Sequence, residues 1–545
     1  MGLASVPAEQ VRVQVHLAQK ARKPLLAAAA RVGNQTKKGV SRPMTTVSQS
    51  ANGEVNPFGT PIDRPWLDEL ETRTNFWNRN PQLQFIAWMA LQKEVSPWGL
   101  LMAIQFHRLS HIKPTIVLVQ KDGTAFGGLE GGTSLNMFGG LTADSGGGKT
   151  TTFKLASILM PPARTPIADG TGQGLVKTFA ETEKVSMEDG NKLAEPYYIT
   201  RYHTHTAVIH GPEVGTLNAE FVREGSKTAD MMRSLGSGET VGMTTGDRDR
   251  RVTLMGNFYR LVGFWGVQPH KALAILAGAD DGTPQRFLWA PGEEFRDGIK
   301  RVNPGQVDFP FPVFGQVGGN PFGVSGGELP TEFREGDALP SPTWVHWSPQ
   351  MTIDIKAMNA ARKKARNRDP YADLTQAQKD DELTITMQSH FTLTRIKLAA
   401  ALGFLWGHAN PTDEDWELAG IQLEVSTREL AGVWKKAQES RKDEIATKGR
   451  ERGLEMHAAQ GARSSEEEKD VAAFADEVYM KLCVKPYTGR DFRDKFGRRK
   501  RAMLQDALDL LERQNRVATD KNGMYWAFHM GQAQPVHLSS QFIPA

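Results

Sequence analysis

From residue 75 to residue 112 the apolar side chains recur at helical spacing: Phe76, Trp77, Leu83, Phe85, Ile86, Trp88 and Met89, then Leu100, Leu101, Ile104 and Phe106. The spacing predicts two helices broken near Ser96-Pro97. The period then changes. Residues 115–120 and 134–141 are short β-type runs, and the second leads directly into Ala-Asp-Ser-Gly-Gly-Gly-Lys-Thr at 143–150. Behind it, residues 151–160 have the composition of a helix stopped by Pro161-Pro162. Residues 207–210 and 261–267 are further β-type runs separated by helical patterns, so the middle of the chain alternates strand and helix. That alternation predicts an α/β fold built on a parallel sheet.

Beyond the sheet region the pattern loosens. Residues 303–343 are rich in Gly and Pro and predict an irregular insertion, followed by a mostly helical stretch over 353–438. Between 435 and 469 charges crowd together with few large apolar residues, which predicts a solvated helix or linker. Residues 470–529 resume a regular pattern: two helical stretches, an amphipathic helix carrying Leu504, Ala507, Leu508 and Leu511 on one face, then a hairpin. Three helices and a hairpin make a winged helix. The divisions are an N-terminal arm (1–60), a helical lead-in (61–130), an α/β core (131–300), the insertion (301–345), a helical lid region (346–435), a charged linker helix (436–469) and the last domain (470–535).

Composition adds bounds. At 545 residues the chain exceeds one ordinary core, and no stretch approaches eighteen uninterrupted apolar residues, which argues against a membrane-spanning helix. The single cysteine, Cys483, excludes an intramolecular disulfide and a cysteine-rich zinc site, so the expected compartment is a reducing cytoplasm. The net charge of +4 is small, but its distribution is uneven. Residues 1–43 hold eight Lys or Arg against Glu9 alone. A basic arm touching nucleic acid, an organellar transit peptide, an unstructured segment without a specific role, or a true start at Met44 all fit that composition.

The glycine run at 143–150 is where chemistry enters. A phosphate-binding loop needs converging backbone N–H groups, a lysine for the β and γ phosphates, and a hydroxyl for magnesium. Ser145, Gly146, Gly147 and Gly148 supply the first, Lys149 the second and Thr150 the third, with Thr151 beside it. The motif's usual first glycine, which permits a tight exit from the strand, is here Ala143, the smallest available replacement. ATP with Mg2+ is the expected ligand pair. In such an ATPase a second strand ends in acids, and the candidate is Glu213, preceded by Pro212 where the usual aspartate is absent. Gln268, closing the apolar run 261–267, is the candidate sensor of the γ-phosphate. Arg286 is the candidate finger for a neighbouring subunit's site, with a surface or salt-bridge role as its alternative.

Taken together, Phe76-Trp77, Ser134-Leu-Asn136, Ala143 to Thr150, Asp169-Gly-Thr-Gly-Gln-Gly-Leu-Val-Lys177, Glu213-Val-Gly-Thr-Leu217, Arg233-Ser-Leu-Gly-Ser-Gly-Glu239 and Gly266 to Pro291 resemble the P-loop ATPases of phages and bacterial mobile elements. That family is usually described as primase-associated or helicase-like. The likeness spans roughly residues 70–430, with Gly282-Thr-Pro-Gln-Arg-Phe-Leu its most specific piece. It implies a P-loop core of the RecA or AAA+ kind and a role in replication. It also implies a helical lid around residues 390–419, from which Arg395 would contact the nucleotide, a plain helix-surface role being its alternative. The departures at Ala143 and Pro212 bear on hydrolysis more than on binding.

For the last domain the expected partner is DNA. Eleven Lys or Arg face six Asp or Glu between 485 and 521, and Arg490, Arg498, Arg499, Lys500 and Arg501 are the candidate phosphate contacts at the start of the third helix. His203, His205 and His210 have a spacing that can bind metal, but no acid or thiol stands in register, so they read as strand residues near the nucleotide pocket. The leading expectation is an ATP-driven motor or loader on DNA, assembled with other copies in a hexameric ring and with replication proteins, away from membranes. The alternatives are a nucleotide-gated DNA-binding regulator with little hydrolysis, and a packaging or partition ATPase.

Overall fold

A computed structural model of the chain describes residues 55–528, with Ser48 and Gln49, apart from short internal stretches of which 243–250, 315–328 and 366–375 are the longest. The basic residues before 43 and the centre of the insertion therefore lie outside the described residues. Two compact units divide the chain, Met1–Ser440 and Arg441–Ala545.

The first unit is built on four parallel strands, β1 (Met137–Thr142), β2 (Thr206–Gly211), β3 (Arg260–Val267) and β4 (Phe287–Pro291), in the spatial order β4-β1-β3-β2. Every residue of β1, β3 and β4 is buried, as expected of near-continuous apolar runs covered on both faces. A single parallel bridge between Ile167 and Ile209 adds a fifth position beyond β2. The alternation of strand and helix is interrupted, however. Between the helix Gly172–Phe179 and β2 runs a long antiparallel hairpin, Ala180–Glu188 with Asn191–Tyr202, joined by Glu332–Arg334. Its residues are largely exposed, so it carries no apolar period for a sequence reading to find.

The helical lead-in forms as the spacing predicts. Asn80 and Ser96 accept from Leu83 N and Gly99 N to cap Pro81–Gln92 and Pro97–Ser110, each with proline in its first turn. Pro97–Ser110 is buried at every residue and packs against the sheet, which is why its apolar residues encircle it. An additional helix, Arg64–Thr74, precedes them. Ile116–Val119 pairs outside the main sheet, in parallel with Thr343–His346.

Helices Pro349–Ala365 and Gln376–Leu405 follow, and then one helix of 72 residues, Asp413–Val484, which takes in the charged stretch. No proline falls between Pro411 and Pro486, so nothing covalent stops it. The second unit takes the end of this helix, Gly489–Arg493 and Arg498–Arg513, and a three-stranded antiparallel sheet ordered Tyr487–Thr488, Met524–Ala527, Val517–Thr519. Phe474, Val478, Leu482, Phe492, Leu504, Leu508 and Leu511 form its own core. Among the described residues no helix is long and apolar enough to cross a membrane.

Candidate functional site

Register decides what meets at the carboxyl ends of the strands. Thr142 pairs with Val267 and Pro291, and Gly211 pairs with Trp265. The next residues along each chain, Ala143, Gln268, Gly292 and Pro212-Glu213, must then emerge at one edge of the sheet. Two bonds tie these exits together: Ala143 N–H donates to Val267 O at 3.1 Å, and Gly292 N–H to Thr142 O at 2.7 Å. A close approach sets the third. A Cβ on Gly266 would lie 2.3 Å from Pro212 O, so glycine at 266 lets β3 pass against the turn that carries Glu213.

The loop itself turns on Gly146 and Gly148, with φ of 84° and 74°, conformations that a side chain at these positions would strain. Gly148 is the N-cap of the helix Lys149–Leu159, and the dipole of that helix favours an anion at its start. Asp144, Ser145, Gly146, Thr150 and Thr151 are exposed, whereas Lys149 is buried. Lys149 Nζ donates to Ala143 O and Asp144 O, each at 2.7 Å, and Gly147 and Gly148 N–H donate to Asp144 O and Gly146 O. The donors that a phosphate would take are turned onto the loop's own carbonyls. Burial lowers the pKa of Lys149, and the charges of Glu213, Asp144 and Glu293 oppose that shift.

Gln268 and Glu213 are brought together. Gln268 is buried, and its Nε2 donates to Glu213 Oε1 at 2.9 Å. Four residues at this edge were not anticipated from the sequence. Lys271 Nζ stands 3.6 Å from Glu213 Oε2. Glu293, just past β4, lies so close to the loop that a Cβ on Gly147 would meet its carboxylate at 2.8 Å. From the long helix, Lys436 reaches Asp144 at 3.9 Å, and the half-buried Glu429 accepts from Thr142 Oγ1 at the end of β1. Burial raises the pKa of Glu429, and the Thr142 bond opposes it. Lys271 and Glu293 were findable as charges just past two strand ends. Glu429 and Lys436 gave no local signal, because only the packing of a distant helix brings them here.

Two expected site residues make other contacts within this chain. Arg286 immediately precedes β4, so it lies at the amino-terminal edge, roughly 15–20 Å of strand away from the loop. It is half-buried, donates to Gly282 O at 2.9 Å and lines a small cavity with Asn136, Ser237, Thr394 and Lys397. Arg395 is half-buried, and its guanidinium is committed to the long helix. It donates to Trp416 O at 3.0 and 3.2 Å and stacks 3.7 Å over the Trp416 ring, and burial pushes its pKa down to about 10. His205 stacks on Tyr202, and His210 packs on Phe153 and Phe264. Burial lowers the pKa of both. Among the described residues no group of three His, Cys, Asp or Glu stands together to hold a metal.

In the second unit Arg490 and Arg498–Arg501 are exposed, the latter four filling the first turn of Arg498–Arg513 with no acid beside them in that turn. Acids from elsewhere partly neutralise them. Arg499 pairs with Asp470 at 3.0 Å, Lys500 with Glu477, and Arg501 with Asp494 at 3.8 Å.

No family model matches the chain, and no curated protein matches it.

Proposed function

We propose that the chain is an ATP-binding, ATP-hydrolysing protein that acts on DNA, with the parallel sheet as a P-loop nucleotide core and the second unit as a winged helix. The observation that carries the nucleotide half is the shared edge: the loop of Lys149, the carboxylate of Glu213 and the amide of Gln268 emerge side by side because the strand register requires it. On this reading the phosphates settle on the loop N–H groups, and Lys149 Nζ leaves Ala143 O and Asp144 O for the β and γ oxygens. Thr150 Oγ1, exposed in the first helical turn, would hold a magnesium ion together with phosphate oxygens. That donor set suits a hard cation carried in with the nucleotide, whose chemistry would be to neutralise phosphate charge. Glu213 orients and deprotonates the attacking water, and Gln268 fixes the carboxylate and reports the γ-phosphate.

The DNA half rests on the first turn of Arg498–Arg513. Four cations at a helix N-terminus oppose the helix dipole, an arrangement that an anionic partner such as a phosphate backbone offsets. One observation also favours a second reading, a nucleotide-gated DNA-binding regulator with little turnover: both carboxylate oxygens of Glu213 are engaged, one by Gln268 and one by Lys271. DNA-stimulated ATP hydrolysis, measured on the wild type and Lys149→Ala, separates the two. The ATPase reading expects turnover in the wild type alone. Wild-type turnover no higher than the mutant's, with nucleotide still bound, establishes the regulator.

A further inference from the structure

Each oxygen of Glu213 faces one donor, Gln268 Nε2 at 2.9 Å and Lys271 Nζ at 3.6 Å, and a water that Glu213 is to orient competes with these donors for the same oxygens, so releasing one of them favours the water. Gln268 is the poorer candidate for release, because its side chain is buried and sits at the end of β3. Lys271 is built differently. Its backbone is fixed from two sides: Pro269 starts a tight turn in which Lys271 N–H donates to Gln268 O at 2.8 Å, and Asn218, from the helix Gly215–Val222 just after Glu213, donates to Lys271 O. Its side chain is 45% exposed and faces a carboxylate that is itself 57% exposed. An exposed pair at 3.6 Å is weak, and a terminal phosphate carrying roughly two charges is the stronger attractor.

We propose that Lys271 is the γ-phosphate-binding cation of this site: it holds Glu213 while no nucleotide is bound and transfers to the γ-phosphate of ATP, freeing Glu213 for water. The inference rests on the ATPase reading. Arg286, which the sequence offers for the transition-state charge at a neighbouring subunit's site, stands at the other edge of this chain's sheet. Lys271 supplies that charge from within the same chain. In the step it serves, the water oxygen bonds to the γ phosphorus and the bond to the bridging oxygen breaks, leaving its electron pair on the β-phosphate of ADP. The water proton passes to the released Glu213 oxygen and then to solvent. Lys149 neutralises the leaving oxygen, and Lys271 the equatorial oxygens of the transferred group.

A γ-phosphate contact separates ATP from ADP, which a merely structural lysine does not. The test measures calorimetric affinities for ADP and for a non-hydrolysable ATP analogue, with single-turnover ATP hydrolysis, on the full chain as wild type, Lys271→Ala and Lys271→Arg. For Lys271→Ala the expected result is unchanged ADP affinity, about tenfold weaker analogue binding and hydrolysis slower by about tenfold or more, with Lys271→Arg recovering part of both. Lys271→Ala with unchanged analogue affinity and unchanged hydrolysis overturns the proposal. So does faster hydrolysis, since the lysine would then only restrain Glu213. A wild type that binds neither nucleotide sinks the ATPase reading itself, a result distinct from a wild type that binds both and a variant that matches it.

Discussion

The two edges of the parallel sheet both hold cations, and they hold them in different ways. At the amino-terminal edge Arg260 is wholly enclosed and donates to Ile112 O, Lys113 O, Ile116 O and Asn136 Oδ1, and Lys397 Nζ donates to Asn136 O and Gly236 O at 2.8 and 2.7 Å. Burial pushes Arg260 down to about 9 and Lys397 to about 7. These acceptors are neutral oxygens fixed to the fold. At the carboxyl-terminal edge Lys271 and Lys436 face the carboxylates of Glu213 and Asp144 on exposed side chains, and Lys149 sits on loop carbonyls within reach of the same charges. Carbonyls enclosed in the core cannot leave without unfolding something, whereas an exposed carboxylate, or the exposed glycine loop whose carbonyls hold Lys149, yields to a ligand. Similar cations therefore brace one edge and stand ready at the other.

The largest effect expected from this contrast is on stability. Arg260→Met takes an enclosed guanidinium away from Ile112 O, Lys113 O, Ile116 O and Asn136 Oδ1, of which Lys113 O keeps Ile116 N–H and Asn136 Oδ1 keeps Leu261 N–H, and should cost on the order of 4 kcal/mol in urea unfolding. Lys149→Met should leave the unfolding midpoint near the wild type and abolish nucleotide binding. If both variants lose stability equally, the two edges do not differ in kind.

Next comes catalysis at the open edge. Glu213→Gln keeps the shape of the side chain and should preserve ATP affinity while slowing hydrolysis by about 10²–10³-fold, the range of a lost general base. Unchanged turnover in this variant removes Glu213 from the mechanism.

A smaller effect is read through pH. His107, on the core helix, is enclosed between the edges, packs on Phe264 and bonds Met160 O at 2.7 Å, and its Nε2 has no partner among the described residues. Burial pushes its pKa down to about 4 from an ordinary 6.5. The neutral ring is the stable one, so its contribution is complete above pH 6.5 and is lost as pH falls through the window to about 4. That loss is about 3 kcal/mol, and His205 and His210 shift in the same direction. Urea midpoints between pH 4.5 and 7 should fall steeply for the wild type and less steeply for His107→Gln. Parallel slopes would show that other groups govern the acid limit.

The strands that are legible in the sequence are those with an uninterrupted apolar run: β1, β2 and β3 each lie within about three residues of the expected run. β4 is hidden because Phe-Leu-Trp-Ala-Pro comes only two residues after Gly-Thr-Pro, whose turn motif masks the start of a strand. The loop, Glu213 and Gln268 are legible because each sits where a strand ends, and strand ends are what periodicity locates. Arg286 is offered to a neighbouring subunit's site, and within this chain it lies at the sheet end opposite Gln268. A parallel crossover carries the chain back to the other end of the sheet between them, and this reversal is topological and leaves no mark in local composition. Arg395 illustrates the same limit, since only packing reveals that Trp416 takes its guanidinium.

The smallest predicted effect carries the contrast into the second unit. Arg499 and Lys500 belong to the yielding kind, because each is exposed and faces a carboxylate, Asp470 and Glu477, rather than a fixed set of carbonyls. Exposed pairs of this sort contribute little to folding, about 0–1 kcal/mol each. Removing the acids should therefore leave the unit's melting temperature nearly unchanged while making its cations more available to phosphate. Asp470→Asn with Glu477→Gln is expected to tighten binding to a short DNA duplex by about two- to fivefold at low salt. The gain should fade as salt rises, because charge alone carries it. Arg498→Ala and Arg490→Ala, measured by fluorescence anisotropy in the same salt series, should weaken binding and lower the salt slope by about one for each phosphate no longer neutralised. A duplex affinity that ignores both the removed acids and the removed arginines would mean that this turn, despite its four cations against the helix dipole, serves some purpose other than holding DNA.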